Sequence, residues 1–386
     1  MDKQEQQGIC REIGARTGGD IYIGVVGPVR SGKSTFIKRF MEQLVLPAMG
    51  TEAARLRARD ELPQSAAGRT IMTTEPKFIP ETAVPLQLEG GGVCRVRLID
   101  CVGYMVEGAM GHEENEKPRM VKSPWFDEEV PFDLAAETGT RRVIREHSTI
   151  GIVITTDGTI TDIPREDYLE AEDRVISELQ ELGKPFLVLL NSSSPKSERA
   201  RAIRNDIAAR YDVTCMAVNC LELDQGDVAD IIKAVLYEFP LKELDLSLPP
   251  WVDALPYDHP IKSGLYAAIR ENSAGMRRIR DVEQAVSAIG ACEGVSSARI
   301  SGIQLGTGLA AADLDLPRGL FYETLSNQSG FTIQDDGDLM ELLTELAGVK
   351  SEYDKVAAAL HVAVFFLICT QNRRQRHGNR GLFRNY

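Results

Sequence analysis

Gly27-Pro28-Val29-Arg30-Ser31-Gly32-Lys33-Ser34 satisfies every fixed position of G-x-x-x-x-G-K-[ST]. The run before it, Ile21-Tyr22-Ile23-Gly24-Val25-Val26, reads as a buried parallel strand. The run after it, Thr35-Phe36-Ile37-Lys38-Arg39-Phe40-Met41, reads as an amphipathic helix. Strand, glycine-bearing loop and helix are the context that a phosphate-binding loop requires. Its glycines let backbone N–H groups turn inward around phosphate oxygens, and the helix N-terminus adds partial positive charge. Lys33 is expected to reach the β/γ-phosphates and the Ser34 hydroxyl to bind Mg²⁺. Residues from Gly27 to Thr35 are the expected cradle of a nucleoside triphosphate.

Outward from this loop, strand and helix alternate. Candidate strands are 21–26, 76–87, 93–100, 150–156, 185–191 and 213–218; candidate helices are 33–46, 166–183, 197–210 and 226–238. Such alternation implies a sheet covered on both faces. Glu89-Gly90-Gly91-Gly92 joins 76–87 to 93–100 as a hairpin, which places one antiparallel strand in a mostly parallel sheet. By analogy, that is the translation-factor-like class of P-loop GTPases. Residues 1–240 form this domain, and the prolines between 241 and 260 read as a linker. A smaller α/β domain follows over 261–360, with helical patterns near 261–287 and 336–360 and strand-like stretches near 295–305 and 329–334. Residues 1–19 read as a short helix. The long insertion 104–148 reads as a lid, an oligomer contact or a solvated loop.

Composition narrows the function. A chain of 386 residues suggests two or three domains, and a net charge of −13 argues against general nucleic-acid binding. Seven cysteines, an odd number without metal-ligand spacing, read as free thiols in a reducing cytosol. The polar N-terminus lacks a signal-peptide core, and Val362 to Cys369 is too short to span a bilayer. A cytoplasmic protein is expected.

Leu98-Ile99-Asp100-Cys101-Val102-Gly103 ends a hydrophobic strand and fits D-x-x-G. Asp100 is expected to act on Mg²⁺ and the Gly103 N–H to meet the γ-phosphate. Between the two motifs, Thr73 and Thr74, with Thr70 third, are candidate switch threonines completing the Mg²⁺ shell. Asn191-Ser192-Ser193-Ser194 stands where a guanine-specific site has N-K-x-D. Serine cannot reproduce the bidentate carboxylate that reads guanine, so ATP is expected over GTP, with Asn191 kept in the site. Arg30 is either a fixed positive charge toward the β–γ bridge or a solvated loop arginine. Tyr104 follows D-x-x-G in place of a water-orienting Gln, so slow intrinsic hydrolysis is expected.

These residues together resemble the stage IV sporulation protein A family of endospore formers. The resemblance runs through Arg16-Thr17-Gly18-Gly19-Asp20-Ile21-Tyr22, the loop with Arg30, and Asp60-Glu61-Leu62-Pro63-Gln64-Ser65-Ala66-Ala67-Gly68. It continues through Thr70-Ile71-Met72-Thr73-Thr74-Glu75-Pro76, Asp100-Cys101-Val102-Gly103-Tyr104, Glu146-His147-Ser148-Thr149-Ile150-Gly151 and Thr155-Thr156-Asp157-Gly158-Thr159-Ile160. It implies an ATPase that polymerises on the outer forespore surface, inside the mother cell, and founds the basement layer of the spore coat. Lys33 then matches the Walker A lysine, Thr73 and Thr74 the sensor threonines, and Asp100 the Walker B aspartate. Implied partners are further copies of the chain, a small amphipathic membrane-anchoring peptide and other spore coat proteins, with membrane contact indirect. From near His361 the sequence leaves the family pattern. The arginine-rich ending 361–386 is expected to be a disordered frame-shift remnant, with a lipid anchor as the alternative. Two rival functions are a monomeric regulatory GTPase-like switch and a nucleotide-binding scaffold with negligible turnover.

Overall fold

The computed structural model describes residues 20–63, 76–87, 93–109, 113–114 and 117–378. The expected helix at 1–19 and the switch threonines Thr70, Thr73 and Thr74 lie outside these residues.

Six strands build the central sheet: β1 (Asp20–Val26), β2 (Lys77–Gln87), β3 (Val93–Asp100), β4 (Ile150–Thr156), β5 (Phe186–Asn191) and β6 (Cys215–Val218), in the order β6-β5-β4-β1-β3-β2. All neighbours run parallel except β2, which is antiparallel to β3. Every residue of β4 and β5 is buried. A parallel strand buried on both faces needs helices on both. Side-chain alternation distributes the strand residues between two cores. On one face Ile21, Ile23, Val25, Leu187 and Leu189 meet Phe36 and Phe40 of α1 (Lys33–Phe40). The opposite face packs Val153, Val188 and Leu190 against α3 (Phe132–Arg142), α4 (Leu169–Leu182) and α5 (Glu198–Tyr211). Two further helices belong to this part of the chain, α2 (Glu52–Asp60) and α6 (Gln225–Tyr237), the latter contributing Ile231 and Val235 to the α1 face.

The insertion is more ordered than a solvated loop. Its first part holds two small ribbons, 113–114 with 117–118 and 120–121 with 130–131. Its second part is α3, continued by a π turn to His147, with Phe132, Ala136, Val143 and Ile144 buried in the sheet's second core. That helix is the crossover from β3 to β4. Since β3 and β4 flank β1, the carboxyl ends of these three strands meet where the strand order reverses, the usual ligand crevice of an open α/β sheet.

A second sheet joins β7 (Glu243–Ser247), β8 (Ser297–Gln304) and β9 (Leu309–Asp315), in the order β7-β9-β8. β7 lies within the stretch read as a linker, and this corrects that reading. Leu244 and Leu246 alternate with polar residues and pack with Val282 and Val286 of the helix Asp281–Gly290. The prolines bracket the strand rather than replace it. The strand expected at 329–334 is instead a turn after the helix Arg318–Ser329, closed by Ser326, whose hydroxyl serves both the N–H and the C=O of Ile333.

The chain forms two compact units. One runs to Ser247 and takes in Tyr266–Ala291 and Ala298–Asp313; the other comprises Leu248–Leu265, Cys292–Ser297 and the residues from Leu314. The second unit ends in a 43-residue helix, Asp336–Gly378, started by Asp335, whose Oδ1 accepts from the N–H groups of Gly337 and Asp338. The ending expected to be disordered is helical as far as Gly378, a correction with a simple cause. No glycine or proline stands between Val349 and His377, so no strong helix breaker interrupts the run, and Ala357, Ala358, Ala359 and Leu360 favour the helix. Among the described residues no helix is long and apolar enough to cross a membrane.

Candidate functional site

Backbone conformation shapes the phosphate loop first. Gly27 (φ 137°), Arg30 (φ 63°) and Gly32 (φ 101°) all lie at positive φ. A Cβ on Gly27 would sit 2.2 Å from the Ile154 carbonyl oxygen of β4, and one on Gly32 2.2 Å from Asn191 Nδ2. Both glycines are therefore demanded by close approach as well as by conformation. The helix α1 starts at Lys33 with no side-chain cap, so its first N–H groups face the loop. Ser31 is fully buried, and its hydroxyl has no hydrogen-bond partner among the described residues. Pro28 and Val29 are buried, whereas Thr35 lies half-buried in the first turn of α1.

Lys33 is the buried cation of the loop. Its Nζ donates to the carbonyls of Pro28 (2.6 Å) and Gly27 (3.3 Å). Burial pushes the Lys33 ammonium down to about 8, against the pull of Asp100. Asp100, buried at the end of β3, is shifted the other way: desolvation raises it, opposed by Lys33 and by a hydrogen bond from Ser34. That bond, Ser34 Oγ to Asp100 Oδ2, is 3.0 Å. A hydroxyl and a carboxylate side by side are the hard oxygen donors that Mg²⁺ prefers, so the residues fit the expected ion. The charge of Arg30 is felt at Lys33, which it lowers, and at Tyr168, where it opposes the upward shift caused by burial.

Gly103 closes the site from the β3 side. Its φ is 97°, and a Cβ there would meet the Gly27 carbonyl oxygen at 2.3 Å and Lys33 Nζ at 2.6 Å. Gly103→Ala is expected to weaken nucleotide binding roughly tenfold or more, since strain of this kind costs about 1–3 kcal/mol. Titration with a fluorescent nucleotide checks it, with circular dichroism to verify the fold; wild-type affinity would refute the assignment. The next residue, Tyr104, is no substitute for a water-orienting side chain. It is fully buried, exchanges backbone bonds with Gly27 and Val29, and its hydroxyl donates to Glu178 of α4. Arg141 of α3 holds the other Glu178 oxygen at 2.7 Å. Tyr104 thus fastens the D-x-x-G loop to α4 and, through Glu178, to α3.

Asn191 braces the loop from β5. Its Nδ2 donates to the Ser31 carbonyl (3.0 Å), and its Oδ1 accepts from the Cys220 N–H (3.0 Å). The serines after it turn back on themselves: Ser192 Oγ accepts from the Ser194 N–H, and Thr159 Oγ1 from the Ser193 N–H. No side-chain carboxylate stands at 192–194.

Sequence reasoning missed the support under the loop after β4. Arg165 and Glu172 form a buried pair at 2.6 and 2.7 Å, joined by Thr155. Asp157, also buried, accepts from the N–H and hydroxyl of Thr159. Ile160 of the same loop lies 3.7 Å from where a Cβ on Gly32 would be. Arg165 and Glu172 lie two turns apart on one continuous helical run, and only the fold shows that this run is buried and that Thr155 of β4 joins the pair. Of the cysteines, Cys101, Cys215, Cys220 and Cys292 are free thiols, and the described residues hold no cluster of His, Cys, Asp or Glu fit for a metal ion.

Comparison with known proteins places the chain in a family. Residues 4–240 match the family "Stage IV sporulation protein A, ATPase domain", and residues 241–364 match "Stage IV sporulation protein A, middle domain". Stage IV sporulation protein A of Bacillus subtilis (strain 168) is 48% identical over 356 residues, which is 92% of this chain and 72% of the relative. The protein of that name from Clostridioides difficile (strain 630) is 46% identical over 91% of this chain and 72% of its own length. That of Bacillus anthracis is 46% identical over 93% and 73% respectively. The phosphate loop therefore lies in a nucleotide-binding domain of a kind that hydrolyses nucleotide, and the chain belongs to the stage IV sporulation protein A family.

Proposed function

We propose that this chain hydrolyses ATP, with Mg²⁺, to drive its own assembly into the basement layer of the spore coat. The observation that carries the reading is the convergence of Lys33, Ser34, Asp100 and Gly103 at the ends of β1 and β3, beside an Asn191 brace whose neighbours are all serine. The antiparallel β2 next to β3 supports the translation-factor-like class for the fold. In this reading the N–H groups from Gly27 to Thr35 hold the phosphates, and Lys33 swings from its carbonyl partners to the β/γ oxygens. Ser34, Asp100 and Thr73 would hold Mg²⁺, and the ion when bound would supply positive charge against the phosphate oxygens. Thr73 and Thr74 respond to the γ-phosphate, and Arg30 supplies positive charge near the bridge. The family name supports a role in sporulation, and in this reading the chain acts in the mother cell, at the outer forespore surface. Its partners there are further copies of the chain, a small amphipathic membrane-anchoring peptide and other coat proteins, not nucleic acid.

Competition of ATP against GTP, with phosphate release measured in parallel, tests the reading. ATP is expected to win, because a site without the guanine-reading carboxylate gives GTP no advantage. Asp100→Asn, and separately Thr73→Ala with Thr74→Ala, are expected to leave ATP bound and lower kcat by about 10²-fold, as for other groups acting on developing charge. GTP preference would support the regulatory-switch rival. Turnover no faster than that of Lys33→Ala would support the scaffold rival. Arg30→Ala is expected to lower kcat more than it raises KM; a change in KM alone returns Arg30 to the solvated loop.

A further inference from the structure

The helix Asp336–Gly378 exposes an apolar stripe with a strict spacing. Leu339, Leu342, Leu346, Val349, Tyr353 and Val356 follow one another at intervals of three, four, three, four and three residues. The sequence continues the pattern with Leu360, Ala363 and Leu367. A 3–4 alternation over four heptads is the a/d seam of a coiled coil. The first two residues are half-buried in their own unit. From there the seam stands in solvent: Leu346 is 41% exposed, Val349 59%, Tyr353 53% and Val356 49%. Large apolar side chains ordered along one stripe, rather than scattered, mark an interaction face.

We infer that this seam pairs with the same helix of a second copy, in parallel register. Charge selects the occupant and its direction. With leucines 339 and 342 at a and d, Glu345 and Glu352 fall at g and Lys350 at e. In a parallel pair, g of one helix faces the following e of the other, so Glu345 meets Lys350 twice across the two-fold axis. In an antiparallel pair the g positions face each other, which sets the glutamates Glu345 and Glu352 against one another. Lys350 is within reach of Asp354 on its own helix at 3.5 Å, an exposed contact of the weak kind that gives way readily. This contact deepens the self-association proposed above and does not depend on nucleotide.

Sedimentation of the full chain without nucleotide tests it. Wild type, and equally Lys33→Ala, are expected to sediment as dimers at micromolar concentration. Leu346→Asp with Val349→Asp is expected to sediment as a monomer while keeping wild-type circular dichroism. Glu345→Lys is expected to raise the dimer Kd about tenfold, and Glu345→Lys with Lys350→Glu to restore it. A monomeric wild type would overturn the inference, as would a dimer indifferent to both aspartates. Recovery failing in the charge swap would overturn the parallel register. Failure of ATP-dependent assembly with the dimer intact would sink the assembly reading and leave the coiled coil standing.

Discussion

Replacing Lys33 by alanine is expected to lower ATP affinity by about 10²–10⁴-fold. Charge-assisted hydrogen bonds are worth about 1.5–3 kcal/mol each, and Lys33 is placed to make two of them to phosphate. The side chain is buried in the loop, and its two carbonyl partners come from residues of the same loop. Rotation from those carbonyls toward a bound β/γ-phosphate therefore needs no backbone rearrangement. Burial already disfavours the charged form, which an anionic ligand would reverse. Because these hydrogen bonds stay within the loop itself, the fold is expected to survive the substitution. Equilibrium binding of a fluorescent ATP analogue measures the effect. Affinity within a few-fold of wild type would remove Lys33 from the phosphate site.

The largest stability effect is expected at Glu172. Its carboxylate is 1% exposed and receives both terminal nitrogens of Arg165 together with the Thr155 hydroxyl. Glu172→Ala leaves the Arg165 guanidinium buried with only the Thr155 hydroxyl and the Thr156 carbonyl for partners. Breaking a buried pair from one side costs about 3–5 kcal/mol. For a unit of this size that lowers Tm by roughly 6–20 °C. The pair Arg174–Glu137 is the internal control, since both side chains are partly exposed, and its loss is expected to cost about 1 kcal/mol or less. Replacing both members of the buried pair, Arg165→Met with Glu172→Leu, is expected to recover most of the loss, because the desolvation cost disappears with the charges. Calorimetry on the three variants decides the matter. Equal shifts for Glu172→Ala and Glu137→Ala would show that the buried pair contributes nothing special.

The same pair has a bearing on the site. It ties the end of β4 to the start of α4 on either side of the loop that carries Asp157 and Ile160. Ile160 approaches Gly32, and Thr159 receives the Ser193 N–H, so the loop touches both the phosphate loop and the segment after β5. A destabilised Arg165–Glu172 pair is thus expected to loosen the walls of the nucleotide site as well as the fold.

Several features were legible in the chain because they are local. Gly27, Gly32, Lys33 and Ser34 declare themselves by spacing, and the apolar strands before and after them by pattern. The ends of β3 and β4 agree with the sequence reading to the residue, since Asp100 and Thr156 each close an apolar run. The strand β7 was hidden by prolines that looked like a linker, although Leu244 and Leu246 carried its period of two. The turn at 329–334 shows the reverse error, an apolar run with Ile333 alone buried and no strand beside it.

By itself, then, the sequence determined the phosphate loop, the D-x-x-G turn, the missing guanine-reading residues and the family, all of them set by short-range spacing or by extended similarity. Only the tertiary structure decided how these parts meet. It placed Ser34 against Asp100, Gly103 over Lys33, Asn191 beneath Ser31, and Glu172 against Arg165. It also turned the insertion into the crossover helix α3 and left the heptad seam of the last helix facing solvent. The physical reason is that burial and contact are properties of the folded chain: residues such as Asn191 and Ser31, far apart in sequence, become neighbours only when parallel strands stack their carboxyl ends on one edge of the sheet.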